Sequence, residues 1–198
     1  AMPKIKADNI AEHVAQQRAA VLEAAVRLFT DRGYAEVSLA DVAAEVGLAR
    51  SSLYRYVPDK LHLLVEWYRD AVPRTIADWE AAVSGDDDPA ERIKRWARSY
   101  LEWARSPEHQ LVAPLTEGLA GLDDDTRNEV ASLHRSMMAV VGRVVLDAGT
   151  EPEAVAGVVE LLAGLTLGAA RVEEAKGTVD EDTRRRLDAG VDALVRWE

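Results

Sequence analysis

Glycine and proline cut the start of this chain into helices too short to stand alone. Between Arg18 and Lys60 the apolar residues keep a helical spacing, yet Gly33, Gly47 and Pro58 interrupt it. Val21, Leu22, Ala25, Leu28 and Phe29 form one apolar face, and Gly33 ends it as a C-terminal cap. Ser38 opens a second helix with Asp41 three residues on, an aspartate version of the capping box. Leu39, Val42, Ala43 and Val46 are its apolar face, and Gly47 stops it. A third short helix is predicted from Ala49 to Tyr56, closed by Pro58, because the residue before proline avoids the helical region. Helices of two turns are unstable in isolation, so these segments must pack on a longer partner. Asp59 caps that kind of partner, with Leu61, Leu64, Val65, Tyr68 and Val72 on one face. Pro73 is predicted to kink or break it.

The rest of the chain reads the same way. Strand signals are nearly absent, and Ala, Leu, Glu and Arg dominate. Helices are expected at about 59–82, 89–105, 107–120, 123–149, 151–175 and 180–197. The segment GDDDPAER at 85–92 is a linker in which Asp88 caps a helix and Pro89 takes its first position. The fold class is all-α. The expected domains are 1–60, with an N-terminal arm over 1–13, and 61–198. The longest apolar stretch, 154–172, contains Glu160 and Arg171 and reads as a buried helix rather than a membrane span. The opening residues AMPKIKADN lack the apolar core of a signal peptide. With no cysteine there is no disulfide framework and no Cys-ligated zinc.

Charge divides the chain unevenly. Residues 1–60 hold eight basic and eight acidic side chains, so the whole net charge of −11 falls on residues 61–198. The neutral part can therefore meet a polyanion while the acidic part does other work.

Two short helices joined by a glycine turn and carried on a third helix describe a helix-turn-helix. Leu39, Val42, Val46, Leu48 and Leu53 supply its small core, which leaves Arg50, Ser52, Tyr54 and Tyr56 unable all to point inward. In the major groove Arg50 suits a bidentate bond to guanine, and Ser51 and Ser52 suit a base edge or a phosphate. Tyr54, Tyr56 and Lys60 suit phosphates, and Ser38 could grip one more. The plain alternative is a solvated surface of a helical bundle.

Residues 18–68 resemble the N-terminal DNA-binding domain of the TetR family of bacterial transcriptional regulators. The resemblance rests on three runs: A-x-x-L-F-x-x-x-G-Y at 25–34, S-L-x-D-V-A-x-x-V-G at 38–47, and L-Y-x-Y-x-x-x-K at 53–60. Val57 stands where the family usually has Phe, and Ala49 where Ser or Thr is frequent. The resemblance implies DNA contacts from Ser38, Arg50, Ser51, Ser52, Tyr54, Tyr56 and Lys60, with Arg55 in a more variable slot. Lys4 and Lys6 would add phosphate contacts from the arm. It further implies a homodimer on a near-palindromic double-stranded DNA operator, a small-molecule effector of unknown identity, repression released by that ligand, and a bacterial cytoplasmic location with no membrane partner and no cofactor.

For residues 61–198 the resemblance implies a ligand pocket and a dimer interface. Trp96, Tyr100 and Trp103 form an aromatic row that either lines a pocket or is core. Val130, His134, Met137, Val141 and Val144 share one face, where His134 is either a core histidine or a polar anchor for a ligand. Met138 beside Met137 suits an adaptable wall. His109 at a helix start is a cap or a ligand group, and Trp67 and Trp79 flank the Pro73 region. Gly157, Leu161, Gly164 and Gly168 form a stripe open to close helix approach. With Leu187, Val191, Leu194 and Val195 of the last helix they would make a four-helix interface, or else pack within one chain. Two rival functions stay open. An enzyme is disfavoured: no H-E-x-x-H or EF-hand spacing occurs, and the triplets Asp86–Asp88 and Asp123–Asp125 precede helices as caps, so no metal is expected. A DNA-binding scaffold with its pocket packed shut is the other.

Overall fold

The computed structural model describes the backbone of residues 4–196 and side chains from Glu12 onward. Lys4 and Lys6, assigned to DNA from the arm, have side chains outside the described residues. Among those residues there is no strand, as the helical periodicity requires. The helices are α1 (Lys4–Arg32), α2 (Leu39–Glu45), α3 (Arg50–Leu53), α4 (Lys60–Ala82), α5 (Pro89–Ala104), α6 (Val112–Gly118), α7 (Asp124–Asp147), α8 (Val155–Lys176) and α9 (Glu181–Val195). Short 3-10 turns, Pro107–Leu111 and Leu119–Gly121, flank α6, so the single helix expected over 107–120 is three pieces.

The chain forms two compact units, one of residues 1–70 with 110–127, the other of 71–109 with 128–198. This division does not coincide with a boundary at 60. The first turns of α4 belong with α1, where Arg18 pairs through Nε and Nη2 with Glu66, and Gly118 lies against Leu61 with no room for a Cβ. Helix α1 begins at Lys4, so most of the segment expected to be an arm is helical.

In the first unit the caps are where the sequence put them. Ser38 Oγ accepts from the Asp41 N–H at 3.2 Å, and Asp41 Oδ2 accepts from the Ser38 N–H at 2.8 Å. The Gly33 N–H closes α1 on the Phe29 carbonyl at 3.0 Å, and Gly33 and Gly47 hold φ of +87° and +67°, which other residues adopt at a cost. Asp59 Oδ1 accepts from the His62 N–H at 2.9 Å and starts α4. Val21, Ala25, Phe29, Val42, Leu53 and Val57 are buried together with Leu63 and Leu64. Helix α3 is shorter than expected: regular helix ends at Leu53, and residues 54–56 form a turn before Pro58.

Pro73 does not break α4, which runs unbroken from Lys60 to Ala82. Val72 is buried while Pro73 and Arg74 are exposed, so the lost backbone bond lies on the wet side of the helix.

The second unit is built on α5, α8 and α9, which pack pairwise against one another. Ile93, Trp96, Ala97, Leu101, Leu162, Leu187 and Val191 are wholly or almost wholly buried. At its edge Glu173 has no solvent exposure. Its carboxylate meets Arg105 Nη1 at 2.9 Å and Arg184 Nε at 2.9 Å, and accepts from the Asp180 N–H at 3.0 Å. Burial pushes this carboxyl up, but the bonds from Arg184 and the Asp180 amide and the two guanidinium charges outweigh it, leaving its pKa lowered. The same Asp180 caps α9, and its own carboxyl, bonded by Lys176 and Thr183, is lowered to about 2.

Helix α8 is long and apolar enough by composition to cross a membrane. The buried helix expected there is buried on one face only: Val159, Leu162, Thr166 and Glu173 face α5 and α9, while Leu161 and Val172 are 59% and 43% exposed.

Candidate nucleic-acid interface

Four of the eight residues assigned to DNA meet at one shallow concavity. Ser38, Arg50, Tyr54 and Lys60 line it together with Glu36 and Leu39. Ser38 enters from the N-terminus of α2, Arg50 and Tyr54 from α3 and the turn after it, and Lys60 from the first residue of α4. The Gly47 turn makes this possible: the Leu48 N–H bonds back to the Ala43 carbonyl at 2.8 Å, folding α3 across α2. Leu53 is fully buried beneath α3, which leaves its other faces to solvent. Arg50, Ser51, Tyr54 and Arg55 are exposed, and Ser52 and Tyr56 half-buried. Arg50 Nη2 donates to Tyr54 Oη at a long 3.4 Å, a contact loose enough to exchange for a base edge.

The surrounding charges are largely paired off. Arg27 pairs with Glu45, and Arg32 stands 3.9 Å from Asp41, which ties α1 to α2. Arg50 and Arg55 are in no ion pair shown among the described residues, so positive charge is concentrated on the exposed face of α3 and the turn after it. A short helix and the turn after it, with exposed Arg50, Ser51, Tyr54 and Arg55 and half-buried Ser52 and Tyr56, are equipped to bond phosphates and base edges at once.

Lys60 is different from the rest. Its ammonium points into the protein, donating to the Tyr34 carbonyl at 2.6 Å and the Val37 carbonyl at 2.9 Å. It also lies 4.1 Å from the centre of the Tyr34 ring, and burial lowers its pKa. Sequence reasoning missed this because two of its partners are backbone carbonyls, which carry no sequence signal. Tyr34 was legible only as part of a glycine-tyrosine run.

In the second unit the aromatic residues assigned to a pocket come together. Trp79 contacts Trp96 at 5.4 Å, Tyr100 at 4.9 Å and Trp103 at 6.2 Å between ring centres, and Trp103 meets His109 edge-on at 4.6 Å. Trp79, Trp96 and Tyr100 are buried; Trp103 and His109 are half-buried. Burial lowers the His109 pKa, with the Glu174 charge opposing. The Trp96 indole N–H is buried with no acceptor among the described residues. Trp67 is not in this cluster: it belongs to the first unit, buried against Tyr68. Met137 and Val141 are buried in α7 and Met138 half-buried. His134 is exposed, which corrects the reading that places it on the buried face. Around it only Val130 is buried, and the buried stripe of α7 starts in earnest at Met137.

The dimer assignments divide too. Leu187 and Val191 are spent inside the chain, 1% and 0% exposed, because α9 lays its apolar face on α5 and α8. Leu194 and Val195 are half-buried. Gly157, Leu161, Gly164 and Gly168 are exposed, and a Cβ at any of the three glycines would meet nothing within 4 Å. Gly164 and Gly168 also border a surface groove between α8 and α9.

A helix-turn-helix with an exposed basic recognition helix, joined to a helical second unit, defines a class of DNA-binding transcriptional regulators. Residues 21–67 match the family model described as bacterial regulatory proteins, tetR family. The chain is 24% identical over 183 residues to the HTH-type transcriptional repressor KstR of Mycolicibacterium smegmatis, covering 92% of this chain and 89% of that one. It is 28% identical over 137 residues to KstR of Rhodococcus jostii, covering 69% of this chain and 62% of that one. Among solved structures, a bacterial regulatory protein of the tetR family from Rhodococcus RHA1 superposes with a TM-score of 0.69 at 19% identity, covering 91% and 95% of the two chains. The TetR-family regulator PfmR of Thermus thermophilus does so with a TM-score of 0.66 at 22% identity, covering 89% and 97%. Residues 21–67 thus match the TetR family's DNA-binding domain, and the chain as a whole is similar in sequence to TetR-type repressors and in fold to TetR-family regulators.

Proposed function

We propose that the protein is a homodimeric repressor that binds a near-palindromic operator through α2 and α3 and is released by a small apolar or amphipathic ligand. The observation that carries the DNA part is the convergence of Ser38, Arg50 and Tyr54 on one concavity beside the exposed Arg55. Ser51, Ser52 and Tyr56 extend that surface. In a two-fold dimer the half-sites lie roughly 34 Å or a multiple apart. Repression is the activity named for the two KstR relatives. The reading places the protein in the cytoplasm.

Support for a second copy comes from α8. Glycines that nothing in their own chain requires, beside an exposed Leu161, suit the close approach of a helix from outside. The ligand reading rests on the aromatic cluster. Its inner rings are tightly packed, so an effector enters past the half-buried Trp103 and His109, and the Trp96 N–H offers it a hydrogen-bond donor. Helix α4 begins with Lys60 and carries Trp79 of this cluster in its later turns, so it is the element that a ligand would move. Coupling of this kind is typically about 1–3 kcal/mol and acts in both directions.

The test is a sedimentation measurement of protein on a duplex carrying the preferred site, repeated with a library of apolar compounds. Two chains per duplex, and a compound that both quenches tryptophan fluorescence and frees the duplex, are the expected results. One chain per duplex would overturn the dimer. Quenching by every bound compound without release would overturn the ligand response.

A further inference from the structure

Lys60 stands at the meeting point of three helices and touches the segment that positions one of them. The turn 34–37 leaves the end of α1 and delivers the chain to Ser38, the N-cap of α2. Its ends are anchored by the buried Val37 and by Tyr34, and a backbone bond from the Glu36 N–H to the Gly33 carbonyl at 3.3 Å spans it. Lys60 bridges this turn at both ends, with the Tyr34 carbonyl at 2.6 Å and the Val37 carbonyl at 2.9 Å, and a longer 3.5 Å contact to Ala35 between them. The flat side of the ammonium's surroundings is the Tyr34 ring, itself packed edge-on against the buried Phe29 at 5.1 Å. Two carbonyls at hydrogen-bond distance and the ring thus hold the ammonium toward the turn, although Lys60 also borders the concavity.

We infer that Lys60 is a positioning residue: its ammonium ties the first residue of α4 to the 34–37 turn and so sets where α2, and α3 folded against it, stand for DNA. The inference rests on the DNA-binding reading of α2 and α3. A phosphate contact and an internal tie make opposite demands on salt dependence. Removing a phosphate contact weakens all sequences alike and lowers the slope of log affinity against log salt by about one. Removing a tie that sets the pose weakens the preferred sequence and leaves the slope alone, because no counterion is released through it.

The experiment measures Lys60→Met in the full chain, by binding to the duplex enriched from a random pool and to an arbitrary duplex, each across salt, well below the melting temperature. The expected result is a loss of about tenfold or more on the enriched duplex, little change on the arbitrary one, and an unchanged slope. Equal losses on both duplexes with a slope reduced by about one would make Lys60 a phosphate ligand and overturn the inference. Unchanged binding with only a lower melting temperature would make it merely structural, also overturning it. Should the variant not fold, lysine acetylation of the unmodified protein decides. Slow reaction at Lys60 relative to the exposed Lys176, equally slow with and without DNA, supports the tie; fast reaction that DNA suppresses overturns it. If no duplex is enriched at all, the DNA-binding reading itself fails, and binding by Arg50→Ala, unchanged on every sequence, would show the same.

Discussion

Arg50 and Lys60 are both basic and both in the same concavity, yet the physics of each is different. Arg50 is exposed and holds only a long bond to Tyr54. Arg50→Ala is expected to cost about 1–3 kcal/mol on the preferred duplex and to relax the choice of one base pair, read by competition between duplexes differing at single positions. From the sequence Arg50 suits a guanine and Lys60 a phosphate, so both were assigned to DNA, because a side chain's type says what it can bond and not which neighbour reaches it first. The same limit hid Glu173, which in the run RVEEAK looks like surface and is instead fully buried between Arg105 and Arg184. Its folded pKa is lowered, so its contribution to stability is present above the ordinary glutamate pKa and is lost as pH falls through and below it. Acid unfolding of the second unit should therefore begin below about pH 5. Glu173→Gln should lower stability at pH 7 by about 3 kcal/mol, since two buried-side guanidinium groups lose their partner, and should flatten the acid transition. A variant as stable as the parent at neutral pH would contradict this.

Helices were legible where their ends carry chemical marks. Ser38 with Asp41, Asp59, Asp88 before Pro89 and Gly33 each sit at a boundary that the structure reproduces. Ser38→Ala removes the hydroxyl that accepts from the Asp41 amide and should destabilise α2 by about 1 kcal/mol, measurable by denaturant unfolding. Its operator affinity should fall further than the cap alone explains, as the same hydroxyl lines the concavity. Pro73 was misleading because it lies on the exposed side of α4, where the helix tolerates the lost backbone bond and runs on to Ala82. The apolar faces of α8 and α9 were also legible, but not their destinations. Both helices show apolar stripes; α9 spends its Leu187 and Val191 on its own chain, whereas α8 keeps Leu161 outside. One chain's pattern records that a face is apolar and leaves open which surface covers it. His134 was misplaced for a related reason: helical spacing puts it in line with Val130 and Met137, but among the described residues that turn of α7 is exposed.

For the whole molecule, the uneven charge is the feature that joins fold to function. The DNA-binding part is neutral overall and the remainder carries the −11, so association with DNA should be oriented and strongly salt-dependent. If α8 is the contact between copies, Leu161→Arg should give a monomer by sedimentation that remains folded, since Leu161 is 59% exposed, and that binds the two-site duplex far more weakly. A dimer of unchanged stability would move the contact elsewhere. The central claim, that this chain reads a specific DNA sequence through α2 and α3, is tested most directly by selection. Purified protein would be challenged with a random duplex pool and the winner titrated across salt. The account predicts a near-palindromic winner whose affinity falls steeply as salt rises. No enrichment at low salt would contradict it, leaving the aromatic cluster of the second unit as the place where the protein acts.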